Sequence, residues 1–218
     1  MSARYGIYYT PPPDHPLWHA GCDWLGRDPS VPAIAPPARD GVGEPWRYGF
    51  HATLKPPMRL ADGHDETSLR TAIAALARRT QRFEMPRLSV QALGAFIALR
   101  PVDPLAPDHP LRRLADACVT ELDAWRGPPS AEEQQRRQAL VLSDGERDAL
   151  QRHGYPYVLA HWRFHMTLTD RDADALLPVA AEHFAAALSQ PLACDALSLF
   201  VEPAPGQPFR LVHRFALG

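Results

Sequence analysis

Between Ala160 and Thr169 the chain alternates without a break. Val158, Ala160, Trp162, Phe164, Met166 and Leu168 are apolar, whereas His161, Arg163, His165, Thr167 and Thr169 are polar. Successive strand side chains point to opposite faces, so this pattern predicts a half-buried strand over about residues 158–169. A second alternation predicts another strand over about 47–55. Tyr48, Phe50, Ala52 and Leu54 face inward there, and Arg47, Gly49, His51, Thr53 and Lys55 face outward. Further strands are expected at 4–10 and 95–102, both ending at proline, and at 87–93, 192–201 and 209–216. Helical spacing appears in Leu69, Ile73 and Leu76 over 66–79, and in Leu177, Ala181, Phe184 and Leu188 over 175–188. Pro178 should fall in the first turn of that second helix.

Two strings recur in the same order. Asp14-His-Pro-Leu17 returns as Asp108-His-Pro-Leu111, and Phe50-His-Ala-Thr-Leu54 returns as Phe164-His-Met-Thr-Leu168. Ile7 and Pro11 are echoed by Ile97 and Pro101. Each Asp-His-Pro-Leu precedes a helical pattern: Leu17, Trp18, Cys22 and Leu25 in one case, Leu111, Leu114, Ala115, Cys118, Leu122 and Trp125 in the other. The aspartate is the expected cap, with proline tolerated just inside the helix and the histidine a surface residue at its start. The second half spaces its strings further apart, which places a polar insertion at about 128–150. Ser130 with Glu133 and Ser143 with Glu146 match capping boxes and predict two helices in it. The expectation is an α+β protein, strand–helix–strand–helix–strand twice over. Residues 1–218 should form a single bilobal domain with pseudo-two-fold symmetry, two sheets lining a central cleft and helices outside.

Composition narrows the function classes. The 218 residues carry a formal net charge of -2, which argues against non-specific nucleic-acid binding as the main activity. The 24 prolines fall in clusters and read as rigid connections. Three scattered cysteines, Cys22, Cys118 and Cys194, without a CxxC spacing, imply buried thiols in a reducing compartment. Neither a signal-peptide core nor a membrane-length apolar run is visible, so a cytoplasmic location and no membrane partner are expected.

The chemistry concentrates on the outward faces of the two alternating strands. Each His is two residues from a Thr, so each pair projects into the same space. One neutral imidazole can accept a proton while one protonated imidazole donates. Two threonine hydroxyls can donate to two oxygens of a bound anion. A tetrahedral phosphodiester meets both demands: a base for the incoming water, an acid for the leaving alkoxide, donors for the charged oxygens. Lys55 and Arg163 lie on the same faces and are expected to add positive charge to the phosphate. His161 shares the His165 face but has no counterpart in the first copy. Neither strand holds a His-x-His pair or a carboxylate, so neither a metal nor another cofactor is expected. Trp46, Tyr48, Tyr155 and Tyr157 are expected mainly to pack the core.

His51-Ala-Thr53-Leu54 and His165-Met-Thr167-Leu168 resemble the paired His-x-Thr motifs of the two-histidine (2H) phosphoesterase superfamily. The resemblance covers most of the chain. It implies a bilobal fold with both motif strands lining a cleft, metal-independent action, His51 and His165 as the acid–base pair, and Thr53 and Thr167 as phosphate donors. It leaves open which histidine is the base. The longer strings Arg47-Tyr-Gly-Phe-His-Ala-Thr-Leu-Lys-Pro-Pro57 and Gly154-Tyr-Pro-Tyr157 are similar to the branch associated with bacterial phosphonate metabolism. That branch implies a small cyclic phosphodiester as the partner, such as a phosphoribosyl cyclic phosphate. RNA ends, through a 2′,3′-cyclic phosphodiesterase or 2′,5′-ligase activity, are the less expected alternative, and a non-catalytic phosphate-ligand binding protein is a third. Oligomeric state is not read from the sequence.

Overall fold

The computed structural model describes residues 3–32, 35–171 and 173–218, with only the backbone of Gln138, Ala173 and Asp174. Its first half runs β1 (Arg4–Tyr9), α1 (Pro16–Leu25), a short α2 (Gly43–Tyr48), β2 (Ala52–Met58), α3 (Glu66–Arg79), β3 (Phe83–Glu84) and β4 (Leu88–Leu93). Its second half runs β5 (Phe96–Pro101), α4 (Pro110–Glu121), α5 (Ala131–Gln138), α6 (Asp144–His153), β6 (Met166–Thr167), α7 (Ala173–Leu188), β7 (Ala193–Cys194), β8 (Ala196–Glu202) and β9 (Arg210–Ala216). The expected order holds in both halves, as β1–α1–β2–α3–β4 and β5–α4–β6–α7–β8, with α5 and α6 inserted in the second. The fold is mixed α+β.

Strand pairing shows how the halves are joined. One antiparallel sheet has the order β2-β1-β8-β9, another β4-β5-β6, and β3 pairs with β7. Each half therefore pairs its first two strands with each other and exchanges the strand that follows its second helix. β8 adds to β1, and β4 adds to β5. One buried apolar cluster accordingly runs through both halves, from Ile7, Leu54 and Ile73 to Ile97, Leu168 and Phe184. Among the described residues, no helix is long and apolar enough to cross a membrane.

Local chemistry accounts for most boundaries and corrects several expectations. The caps of α1 and α4 are His15 and His109, not the preceding aspartates. Their Nδ1 atoms accept from Leu17 N at 3.0 Å and Leu111 N at 3.1 Å. Proline occupies the first helical turn in both, so the residue directly before it becomes the cap and Asp stands one position too early. Both predicted capping boxes of the insertion are present, at Ser130–Glu133 and Ser143–Glu146. Helix α7 starts earlier than expected, which leaves Pro178 inside it. Its buried stripe is Ala180, Phe184 and Ala187, with Ala181 exposed. A helix this rich in Ala and Leu does not fix its own phase by periodicity.

The two motif strands are shorter than the alternation predicted. Residues 43–48 form α2, and the chain enters β2 through Gly49 at φ 79° and ψ 169°, a region essentially restricted to glycine. A Cβ at Gly49 would also meet Pro29 at 2.9 Å. In the second half only Met166 and Thr167 pair, with Leu99 and Ala98 of β5, and a 3-10 turn at Leu159–His161 precedes them. Burial still alternates from Trp162 to Leu168, because alternation needs an extended backbone, whereas a ladder also needs a neighbour. β5 itself ends at Pro101, which has no N–H to give.

Candidate active site

His51 sits between Gly49 and β2, and its Nδ1 lies 2.8 Å from the Gly49 carbonyl oxygen. A carbonyl only accepts, so Nδ1–H donates and the neutral ring keeps its lone pair at Nε2. Thr53 Oγ1 lies 3.2 Å from that Nε2 and donates to it. The second motif repeats the device: His165 Nδ1–H donates to the Arg163 carbonyl at 2.9 Å. Both imidazoles are thus held in the same tautomer by the carbonyl two residues earlier, leaving Nε2 clear of backbone partners.

Two adjoining cavities place the motifs together. One, of about 490 Å³, is lined by Tyr8, His51, Thr53 and Thr167. The other, of about 560 Å³, is lined by Thr53, His165, Arg163 and His161. Thr53, Pro56, Tyr155 and Tyr157 line both. The Trp162 indole donates to the Thr53 carbonyl at 2.9 Å, which ties the segment before the second motif to the first motif strand. Three of the four paired residues therefore face one cavity, and Thr53 joins it to the fourth, His165.

The pseudo-symmetry is broken beside the histidines. Tyr8 pairs with Thr53 in one sheet where Ala98 pairs with Thr167 in the other. The Tyr8 ring stacks on His51 at 3.9 Å between centroids, with 27° between planes, whereas Phe96 lies 6.3 Å from His165. Burial lowers the His51 pKa to about 4, against the hydrogen bond to Gly49, and charge on His165 lowers it further. Burial also lowers that of His165, with the Arg163 carbonyl opposing and Arg100 reinforcing the shift. Both rings are consequently neutral near neutral pH, His51 the more firmly.

Lys55 does not reach the cleft. A β-bulge skips Leu54 in the pairing with β1, setting Thr53 opposite Tyr8 but Lys55 opposite Ile7. The alternation therefore breaks, and Lys55, 2% exposed, turns toward α4. Its Nζ donates to the Val119 carbonyl at 3.0 Å and to Asp123 at 3.3 Å. Asp123 is separately held by Arg126 through two hydrogen bonds of 2.8 Å. Lys55→Met is accordingly expected to lower stability by about 1.5–3 kcal/mol, the scale of a lost hydrogen bond to a charged group. Thermal denaturation would show that loss, with KM within about twofold of wild type.

Arg163 is exposed at the rim of the second cavity, and His161 lines that cavity too. Trp46 is half-buried outside the apolar clusters, against the Arg27 guanidinium, with its indole N–H on the Ala35 carbonyl. Tyr48 packs as expected, stacked on buried Phe209 at 4.8 Å between centroids, and also lines the cleft, whereas Tyr155 and Tyr157 line the cleft instead. Among the described residues, no group of three or more His, Cys, Asp or Glu side chains could hold a metal ion. All three cysteines are buried free thiols, and burial pushes Cys118 up to about 12. Tyr8, Arg4, Arg136 and Arg137 line the first cavity and were not singled out from sequence. Tyr8 had a signal, its register position across from the motif threonine, but the pairing of β1 with β2 was needed to use it.

A family described as "Protein of unknown function (DUF1045)" matches residues 53–210, most of the chain. The chain belongs to this family. Two relatives, each named ribose 1,5-bisphosphate phosphokinase PhnN, come from Janthinobacterium sp. (strain Marseille) and Laribacter hongkongensis (strain HLHK9). Both are 38% identical to this DUF1045 chain, over 94% and 95% of its length but 49% and 50% of theirs. The chain spans about half the length of the curated relatives it matches. Among solved structures, a phosphoesterase is similar at TM-score 0.44 and 16% identity, over 100% of this chain and 99% of that one. E. coli LigT complexed with 3′-AMP is similar at TM-score 0.43 and 14% identity, over 98% and 96%.

Proposed function

We propose that this DUF1045 chain is a phosphodiesterase that opens a small cyclic phosphodiester by acid–base catalysis with His51 and His165, without a metal. The observation that carries this reading is the matched tautomer of two imidazoles on adjoining cavities, each with Nε2 clear of the backbone. His51, the more firmly neutral ring, takes a proton from water as its oxygen attacks phosphorus. The P–O bond to the leaving group breaks, and protonated His165 gives its Nε2 proton to the departing alkoxide oxygen. A phosphomonoester results, and the two imidazoles have exchanged protonation states. Thr53 turns its hydroxyl from His51 Nε2 to one phosphate oxygen, Thr167 donates to the other, and Arg163 supplies positive charge from the rim.

The substrate class proposed is a phosphorylated ribose carrying a cyclic phosphodiester, in phosphonate catabolism. The names of the relatives, which specify a ribose phosphate, support that choice. The test is hydrolysis of a panel in the presence of EDTA: a phosphoribosyl 1,2-cyclic phosphate, the 2′,3′-cyclic nucleotides, and an RNA with a 2′,3′-cyclic end. Chelator-resistant turnover with preference for the sugar phosphate is expected. Preference for the RNA would replace the substrate, and turnover of none by folded protein would sink the hydrolase reading. Thr53→Val and Thr167→Val should each lower kcat by about one to three decades, the scale of one lost donor to a developing charge. Unchanged kcat in both variants would remove the threonines from the phosphate site.

A further inference from the structure

The cavity beside His51 does not end at the catalytic motifs. It continues to the inserted helix α5, which contributes Arg136 and Arg137, and is bordered by Arg4 of β1. One carboxylate, Glu133, shares that border, but it is already engaged. It accepts from Ser130 N at 2.9 Å in the capping box and pairs with Arg59 at 3.1 Å and Arg4 at 3.7 Å. Arg137 is half-buried, and its side chain makes no hydrogen bond or ion pair of its own among the described residues. Its charge stands among those of Arg59, Arg126 and Arg136, with only Glu133 opposing them.

A second observation points to the same end of the cavity. The Tyr8 hydroxyl is buried without a hydrogen-bond partner among the described residues. The far edge of its ring lies back over Gly6, where an added Cβ would meet the hydroxyl oxygen at 2.5 Å. Arg4, Gly6 and Tyr8 share one face of β1, so the hydroxyl lies on the Arg4 side of the ring stacked on His51. A buried donor left unpaired is costly, and a ligand oxygen would satisfy it.

We propose that Arg136, Arg137 and the Tyr8 hydroxyl, bordered by Arg4 in its ion pair with Glu202, form an anion subsite for a phosphomonoester carried on the same molecule as the scissile diester. This rests on the phosphodiesterase reading for the role of the histidine end. Guanidinium forks match the several oxygens and near-double charge of a phosphomonoester, where a single-charge carboxylate would leave donors unused. A cavity of about 490 Å³ suits one small molecule with both groups. The insertion thereby becomes the element that selects a bis-phosphorylated sugar over a diester alone.

Calorimetry on the intact protein separates this from the hydrolase reading, using adenosine 3′,5′-bisphosphate and adenosine 3′-monophosphate as product-like probes that need no turnover. Wild-type protein is expected to bind the bisphosphate at least about tenfold more tightly, a preference that falls toward one in Arg137→Gln. Arg136→Gln, exposed on the same helix, should move the ratio the same way and covers the case in which the first variant fails to fold. Equal affinities in wild type, or a full preference in a folded Arg136→Gln or Arg137→Gln variant, would overturn the subsite. Intact preference without turnover of any cyclic diester would overturn the hydrolase reading and leave the subsite standing.

Discussion

His51→Ala and His165→Ala are each expected to lower kcat by about two to four decades, the contribution of a positioned acid or base. The losses should not multiply in the double variant, because the two imidazoles act on one transition state. Neither change should unfold the protein. The apolar residues of the motifs, Phe50, Leu54, Phe164 and Leu168, carry the packing, while both histidines are only half-buried at the cleft. His51→Ala removes the ring against which Tyr8 stacks, so its melting temperature should fall further than that of His165→Ala. Steady-state kinetics with thermal denaturation on the same preparations would separate catalysis from folding. Wild-type turnover in either folded variant would end the acid–base assignment.

A bell-shaped dependence of kcat/KM on pH is the second large expected effect. The acidic limb belongs to protonation of the base, and the basic limb to loss of the acid's proton. Burial depresses both free-protein values, His51 to about 4 and His165 below its ordinary value of 6.5. The maximum of kcat/KM, which reports the free protein, should therefore lie on the acidic side of 6.5. A bound phosphodiester anion favours both imidazolium forms, so the profile of kcat alone should shift toward higher pH. A monotonic rise with pH would contradict two imidazoles in opposite roles. The same burial bears on stability. A histidine with a depressed folded value stabilises the fold above its unfolded value near 6.5, and that contribution is lost as pH falls toward about 4.

The sequence made the repeated elements legible because each rule involved is local. Alternation located Phe50 through Thr53 and Phe164 through Thr167, and two serine–glutamate pairs announced α5 and α6. What escaped it depends on neighbours. Lys55 follows the alternation in sequence, yet one skipped residue opposite β1 turns it from the cleft to α4. Tyr8 looks like one more apolar strand residue until β2 is laid beside β1. The exchange of β4 and β8 between sheets has no local sequence signature, since alternation marks a strand and not its neighbour. Arg136 and Arg137 belong to a strongly polar segment whose composition is that of a solvated helix, and only the packing of α5 against the cleft sets them apart. The alternation makes Gly49 a strand position, although its conformation aims the carbonyl that fixes the His51 tautomer.

The most direct measurement is hydrolysis of a cyclic phosphodiester in ¹⁸O-labelled water with EDTA present, followed by ³¹P NMR of the product. Attack by water at phosphorus with departure of the alkoxide predicts a phosphomonoester carrying one ¹⁸O, formed by wild-type protein and strongly reduced in both histidine variants. Product formed with ¹⁸O in the sugar instead of the phosphate, or formed undiminished without His51 and His165, would contradict the account.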